Sequence, residues 1–358
     1  AGDAKKPFKV VHPLLLQGKN TADTDELHAG DIGALSKVDD LYYGCVLHSD
    51  PADAGIVLPR PPYPRPMFGL AIEPARRGDE SRMGEVLQKM LAEDPTLAVD
   101  HDVQLNETVL RGLTEMHVRT VLERMKDQFK LEVTTSAPSV PYRETIGAAA
   151  EGHARHKKQT GGAGQFGEVF LKVEPLPRGA GFEFVDRVKG GVIPFNLIPA
   201  VEKGVREVLA TGYMAGYPIT DIRVTVYDGK SHPVDSKEVA FVAAGRKAML
   251  DALAKAQPQI LEPIVEIAVS APESTMGAIT GDIAARRGQV QGTDNLAPGV
   301  MEIKALVPLS ELTGYAARLH ALTQGAGAFT MDLADYHTVP AQKAQELASH
   351  YQRKDEED

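Results

Sequence analysis

Met83-Gly84-Glu85-Val86-Leu87-Gln88-Lys89-Met90-Leu91 places apolar side chains at i, i+3, i+4, i+7 and i+8. That spacing gathers them into one stripe of an amphipathic helix. A strand-like run, Met67 to Ile72, precedes it, and two short strands follow, around Val103 to Leu105 and Thr108 to Gly112. A second helix then carries Val118, Val121, Leu122 and Met125 on one face, and a strand around Leu131 to Thr134 closes the unit. The order is βαββαβ, a ferredoxin-like pattern.

The same order returns further along. A strand from Pro263 to Val269 leads into a helix with Met276, Ile279 and Ile283, then a strand near Gln289 to Gly292. Met301, Ile303, Ala305 and Val307 alternate as a strand, Leu312, Ala316, Leu319 and Leu322 mark a helix, and Phe329 to Leu333 a last strand. Between the copies the pattern changes. There, strands at Val169 to Val173 and Ile222, Val224, Val226 combine with a helix bearing Val201, Val205, Val208 and Leu209, and another from about Ser236 to Lys255. Upstream, residues 1–60 read as short strands around the tight turn His28-Ala29-Gly30-Asp31-Ile32, ended by a stiff proline cluster from Pro59 to Pro66. The expected division is an incomplete β-barrel at 1–60, ferredoxin-like domains at 67–136 and 259–338, an α/β domain at 138–258 and a tail at 339–358. The fold class is α+β.

A chain of 358 residues is long enough for about two to three domains. Ordinary apolar and charged fractions exclude a disordered or fibrous chain. No run approaches the roughly 18 apolar residues of a membrane span, and the single cysteine, Cys45, excludes an internal disulfide or a cysteine metal cluster. A soluble cytoplasmic protein with no membrane partner is expected. The net charge of −10 opposes phosphate binding, but its distribution is uneven. Residues 138–258 carry sixteen Lys or Arg against thirteen Asp or Glu, so only this middle segment is a plausible RNA surface on charge.

Within it lies His156-Lys157-Lys158-Gln159-Thr160-Gly161-Gly162-Ala163-Gly164-Gln165-Phe166-Gly167. Gly162-x-Gly164-x-x-Gly167 formally matches a dinucleotide fingerprint. A basic run precedes it and a strand follows, whereas the fingerprint must follow an apolar strand and open a helix. A glycine-rich loop fits better, with His156, Lys157 and Lys158 able to meet phosphates and Gln159 and Gln165 able to meet base or sugar edges. A plain solvated turn fits the same residues. Asp235 and Glu238 have capping-box spacing at the next helix, and His232 beside them is either an RNA contact or a surface histidine. Thr114 is placed to cap a helix that carries Glu115 and His117. Arg286-Arg287-Gly288 reads equally as an RNA contact or as a basic helix end closed by a glycine. No phosphate loop, nucleophile elbow or His-Glu-x-x-His motif occurs, so no catalytic or metal site is expected.

Taken in order, the motifs resemble the elongation factor G family over nearly the whole chain. Ala29-Gly30-Asp31-Ile32 resembles the end of its second, barrel domain. Glu93-Asp94-Pro95 and Gly112-Leu113-Thr114-Glu115-Met116-His117 resemble the third domain. Pro141-Tyr142-Arg143-Glu144-Thr145-Ile146, the glycine-rich loop, Lys189-Gly190-Gly191-Val192-Ile193-Pro194, Gly216-Tyr217-Pro218 and His232-x-Val234-Asp235-Ser236-x-Glu238 are similar to the fourth. Glu262-Pro263-Ile264, Gly281-Asp282-Ile283-x-x-Arg286-Arg287-Gly288 and Val307-Pro308-Leu309-Ser310-Glu311 resemble the fifth.

The resemblance implies a middle domain of the ribosomal protein S5 type, projecting into the decoding site with Gly161 to Gln165 and His232 at its tip. It implies a monomeric GTPase that drives tRNA and mRNA across the ribosome, with rRNA and ribosomal proteins as partners. GTP and Mg2+ would bind in sequence preceding this chain. The RNA-facing residues then expected are His156, Lys157, Lys158, Gln159, Gly161, Gly162, Gly164, Gln165, His232, Arg286 and Arg287. Two positions depart from the family: Ala163 stands where an arginine is frequent, and Phe195-Asn196 where a glycine or charged residue is usual. Losing that arginine removes a stacking and phosphate-binding donor. A paralogue specialised for recycling, ribosomal protection or a backup role shares this scaffold, and a GTP-independent RNA-binding module is the alternative from another class.

Overall fold

The computed structural model describes residues 12–351 apart from 37, 39, 40, 49, 57, 60, 61, 104, 160–163 and 350. It forms two compact units, Ala1–Pro138 and Ser139–Asp358.

The first unit begins with a small antiparallel sheet of β1 (Leu14–Gln17), β2 (Asn20–Asp23) and β3 (Gly33–Ala34), ordered β2-β1-β3. The turn before β3 closes on itself: Asp31 N–H donates to the His28 carbonyl at 3.0 Å, and His28 N–H to Asp31 Oδ2 at 2.7 Å. The proline run has no regular structure from residue 62 onward, and its Arg60 and Pro61 lie outside the described residues.

Then follow β4 (Phe68–Pro74), α1 (Glu80–Glu93), β5 (Ala98–Asp102), β6 (Glu107–Gly112), α2 (Glu115–Phe129) and β7 (Val133–Ser136). The sheet order β5-β6-β4-β7 is that of a ferredoxin-like fold. Met83, Val86, Leu87 and Met90 from α1 and Val118, Val121 and Met125 from α2 bury against Ile72 and Leu110. The periodicity that defined the helices is thus the packing face. One strand lies earlier than the sequence suggests: Leu97 is buried and Val99 packs on the core, whereas Val103 is 82% exposed in the turn where Asn106 takes φ +48°.

The second unit opens with β8 (Arg143–Ile146), β9 (Ala150–Lys158), β10 (Gln165–Pro175), β11 (Phe182–Asp186), α3 (Ile198–Thr211), β12 (Ile222–Lys230) and α4 (Glu238–Lys255). Its sheet is ordered β11-β12-β10-β9, with only the β11–β12 pair parallel. Val169, Leu171, Val173, Val224 and Val226 meet Val201, Val205, Phe241 and Met249 in one core. The helices cross closely because glycines face backbone there: a Cβ on Gly204 would lie 2.1 Å from the Val242 carbonyl oxygen.

The chain ends with β13 (Pro258–Pro272), α5 (Met276–Ala285), β14 (Gln289–Ala297), β15 (Val300–Pro308), α6 (Tyr315–Thr323), β16 (Ala328–Thr338) and α7 (Ala341–Ser349). The order β14-β15-β13-β16 repeats that of the first unit, so both βαββαβ readings give the same topology. Leu312, expected inside the second helix, instead sits in a short 3-10 turn, and α6 starts after Gly314 at φ +71°. Strand β13 runs 15 residues. Its first four pair with β8 and the rest with β15 and β16, so β8, which precedes the β11-β12-β10-β9 sheet in the chain, is an added strand of the final sheet. In the expected tail, Ala344 and Leu347 of α7 pack against Tyr142, Ile260 and Val339, and 352–358 lie outside the described residues. Among the described residues no helix is long and apolar enough to cross a membrane.

Candidate nucleic-acid interface

Strand directions collect three loops at one end of the β11-β12-β10-β9 sheet. β9 ends there, β10 begins there and β12 finishes there, while β11 stops opposite Val226 and its following loop reaches this end at Ile193, beside Gly229. This end, the tip, therefore carries the loops 159–164, 187–197 and 231–237.

The first and third loops are tied together. Phe166 N–H donates to the Asp235 carbonyl at 2.9 Å, and Ser236 Oγ donates to the Phe166 carbonyl at 2.8 Å. A Cβ on Gly164 would lie 2.9 Å from the Asp235 carboxyl carbon, so a side chain there would displace the Asp235 carboxylate. These contacts replace the expected capping box. The N-cap of α4 is Lys237, without a side-chain cap bond, and Glu238 is the first helical residue, because Ser236 and Asp235 are engaged with β10 instead.

His232 closes the third loop. Its Nδ1 accepts from the N–H groups of Asp235 at 3.2 Å and Val234 at 3.4 Å. Nδ1 also lies 3.3 Å from Asp235 Oδ2. With two N–H groups directed at Nδ1, Nε2 is the nitrogen of this half-exposed ring left open to a ligand. His156 Nε2 bonds to Gln165 Oε1 at 3.1 Å across the hairpin. Lys157, Lys158 and Gln159 are exposed, and neither lysine makes an ion pair among the described residues. Gly161, Gly162 and Ala163 lie outside the described residues.

The second loop joins the tip through Ile193, which is buried against Gly229. Gly190 and Gly191 both take φ +67°, a turn that other residues resist. In or beside these loops stand Lys157, Lys158, Lys189, Lys230 and Lys237, with Asp228, Asp235 and Glu238 as the carboxylates. Five cations against three carboxylates, in a chain of net charge −10, leave the tip locally positive.

The dinucleotide fingerprint fails on geometry. Gly164 and Gly167 belong to a hairpin between antiparallel strands, so the glycine run does not lead into a helix as the fingerprint requires. These residues do not fit a nucleotide. Among the described residues no group of three or more His, Cys, Asp or Glu could hold a metal ion.

Arg286 and Arg287 belong to a different sheet, at the end of α5. Arg286 Nε donates to Asp282 at 2.8 Å, and Arg318 Nε donates to the same carboxylate at 2.9 Å. Arg287 grips Glu262 through Nη1 at 2.6 Å and Nη2 at 2.8 Å, and reaches Glu311 at 3.0 Å. Glu262 is 2% exposed. Hydrogen bonds donated to Glu262 hold the Arg287 pKa above even the ordinary arginine value, against burial. Burial acts to raise Asp282, but Arg286 and Arg318 outweigh it and lower its pKa. The helix end is a Schellman motif: Gly288 N–H bonds to the Ile283 carbonyl at 2.9 Å and Arg287 N–H to Ala284 at 3.1 Å. Arg287, at φ +60°, rather than the expected glycine, takes the left-handed position. Gly288 is needed for space, since its Cβ would lie 2.6 Å from the Ile283 side chain.

Sequence reasoning missed the interactions that join its own motifs. Glu144 is 1% exposed and accepts four backbone N–H bonds, from Tyr213 (2.7 Å), Met214 (2.8 Å), Ala215 (2.8 Å) and Tyr217 (3.1 Å). A loop that includes Gly216-Tyr217-Pro218 therefore wraps a carboxylate from the β8 motif. In the first unit, His117 Nε2 donates to Asp94 at 2.9 Å while its Nδ1 accepts from Leu113 N–H. Thr114 caps α2 through His117 N–H at 3.1 Å. On the face of the central sheet away from the helices, Glu168 meets His153 at 2.9 Å and Arg155 at 3.1 Å. Alternation along β9 was the signal for that last cluster, but the loop around Glu144 had none.

Comparison with known families places three consecutive matches along the chain: "Elongation Factor G, domain III" at residues 63–137, "Elongation factor G, domain IV" at 138–257 and "Elongation factor G C-terminus" at 259–347. A crystal structure of a protein from Thermus thermophilus is similar at 37% identity and a TM-score of 0.76 over 94% of this chain, which spans 50% of that chain. With these matches running in order over most of its length, the chain belongs to the elongation factor G family and carries that family's domains III, IV and C-terminal domain.

Proposed function

We propose that this chain is the ribosome-facing part of a cytoplasmic, monomeric translational GTPase that moves tRNA and mRNA through the ribosome. The observation that supports this most directly is the tip, where five lysines stand in or beside the three loops against three carboxylates, at the end of a sheet packed on two helices. Lys157 and Lys158 supply charge for phosphates, Gln159 and Gln165 supply amide groups for sugar or base edges, and His232 supplies a donor at Nε2. Arg286 and Arg287 are assigned a structural role, because Arg287 is held by Glu262 and Glu311 and Arg286 by Asp282 and the Glu311 carbonyl. GTP and Mg2+ belong, in this reading, to sequence that precedes the segment described here.

The test is sedimentation of the full-length protein with ribosomes, with and without GTP, followed by polypeptide synthesis in which it is the only translocase. GTP-dependent binding with synthesis supports the reading. Binding without synthesis assigns the protein to recycling, protection or another specialised role. Absence of binding at low salt overturns the ribosomal reading.

A further inference from the structure

We infer that Phe195 is an RNA-stacking residue that inserts its ring against an unpaired base at the tip. This rests on the RNA-facing reading of the tip and adds a second kind of contact to it. Phe195 is 86% exposed, yet the loop that carries it is well anchored. Ile193 is 2% and Leu197 8% exposed, and Leu197 N–H closes a turn on the Pro194 carbonyl at 2.8 Å. The chain therefore goes in at 193, out at 195 and in again at 197, immediately before α3.

A phenylalanine held away from every core contributes nothing to packing and leaves its apolar surface in water. A rigid mount also lowers the ordering cost of using that ring in a contact. The surroundings select the occupant: Lys157, Lys158, Lys230 and Lys237 are at the same end of the sheet, with Lys189 on the loop that carries Phe195. A partner with phosphates for the cations and flat faces for the ring satisfies both, and unpaired RNA has each. Val234, 73% exposed on the third loop, extends the apolar surface at this end.

The experiment uses full-length protein and small ribosomal subunits carrying mRNA as the probe. Variants F195A, F195L and F195W are compared with wild type and with K157A/K158A. This chain contains no tryptophan, so F195W adds an indole whose emission is read as a difference from wild type. The expected result is a roughly 5- to 150-fold loss of affinity for F195A and F195L, with an unchanged salt dependence. F195W keeps its affinity, its indole is quenched on binding, and wild type protects an RNA base from chemical modification that F195A leaves reactive.

Wild-type affinity in F195A together with weakened binding in K157A/K158A overturns the inference while leaving the RNA-facing reading intact. Retained affinity in F195L, or an unquenched indole with no base protected, also overturns it and points to an apolar protein surface. If wild type does not bind at all, both readings fall.

Discussion

The arm bears similar motifs at both ends, but uses them in opposite ways. At the joint, where β8 meets β13, the residues are already partnered: Glu144 by four N–H groups and Glu262 by Arg287 and Ser310. At the tip, Lys157 and Lys158 face solvent with no carboxylate partner among the described residues, and Phe195 stands clear of the core. Chemistry satisfied within the chain holds the architecture, while chemistry left open is available to a ligand. A sequence motif does not distinguish the two; hydrogen-bond partners do.

That contrast breaks most decisively at Glu144. Glu144→Ala leaves four part-buried N–H groups without their acceptor, and we expect a loss of about 2–4 kcal/mol in urea unfolding, with RNA affinity per folded molecule unchanged. A change below about 1 kcal/mol would show that water replaces the carboxylate and that the joint is not specified by it. Next is Arg287→Ala, which strands Glu262. Because the guanidinium is about one-third exposed, the expected cost is discounted to about 2 kcal/mol. Arg287→Lys should recover little of it, since an ammonium cannot form the two-pronged contact.

Acid sharpens the comparison further. Burial raises Asp282 and Glu168, but their cationic partners outweigh it, so both folded-state pKa values lie below the ordinary 3.8 and 4.5. Depressed carboxylates contribute stability that is fully present above those ordinary values and lost as pH falls through the lowered ones. Stability should therefore be level near neutrality and decline below about pH 4.5, as thermal melts across pH would record. The smallest stability effect is expected at the tip. K157A/K158A should change unfolding by less than about 0.5 kcal/mol, while flattening the salt dependence of ribosome binding by about one unit of slope per lysine that meets a phosphate.

Much of the fold was legible because helices α1, α2 and α3 bury the stripes that periodicity marked, such as Met83, Val86, Leu87 and Met90. The strand at Val103 was misplaced because a lone apolar residue in a turn resembles a strand residue until its partner is known. The capping box failed for a related reason: Asp235 and Ser236 are drawn to Phe166, 69 and 70 positions away. Local spacing does not contain that contact. For the site, the glycine-rich basic loop and His232 were visible as composition, but the arrival of the 187–197 loop at the same end follows from the parallel pairing of β11 with β12. Pairing register is set by the whole core, not by the loop.

Strand β13 has a mechanical consequence. Fifteen residues at about 3.3 Å each give a beam of roughly 50 Å, clamped by β8 at one end and by β15 and β16 along the remainder. The β8 segment therefore hangs on the same backbone that forms the centre of the final sheet, and breaking the β8 pairing would leave the first four residues of that central strand without a partner on one side.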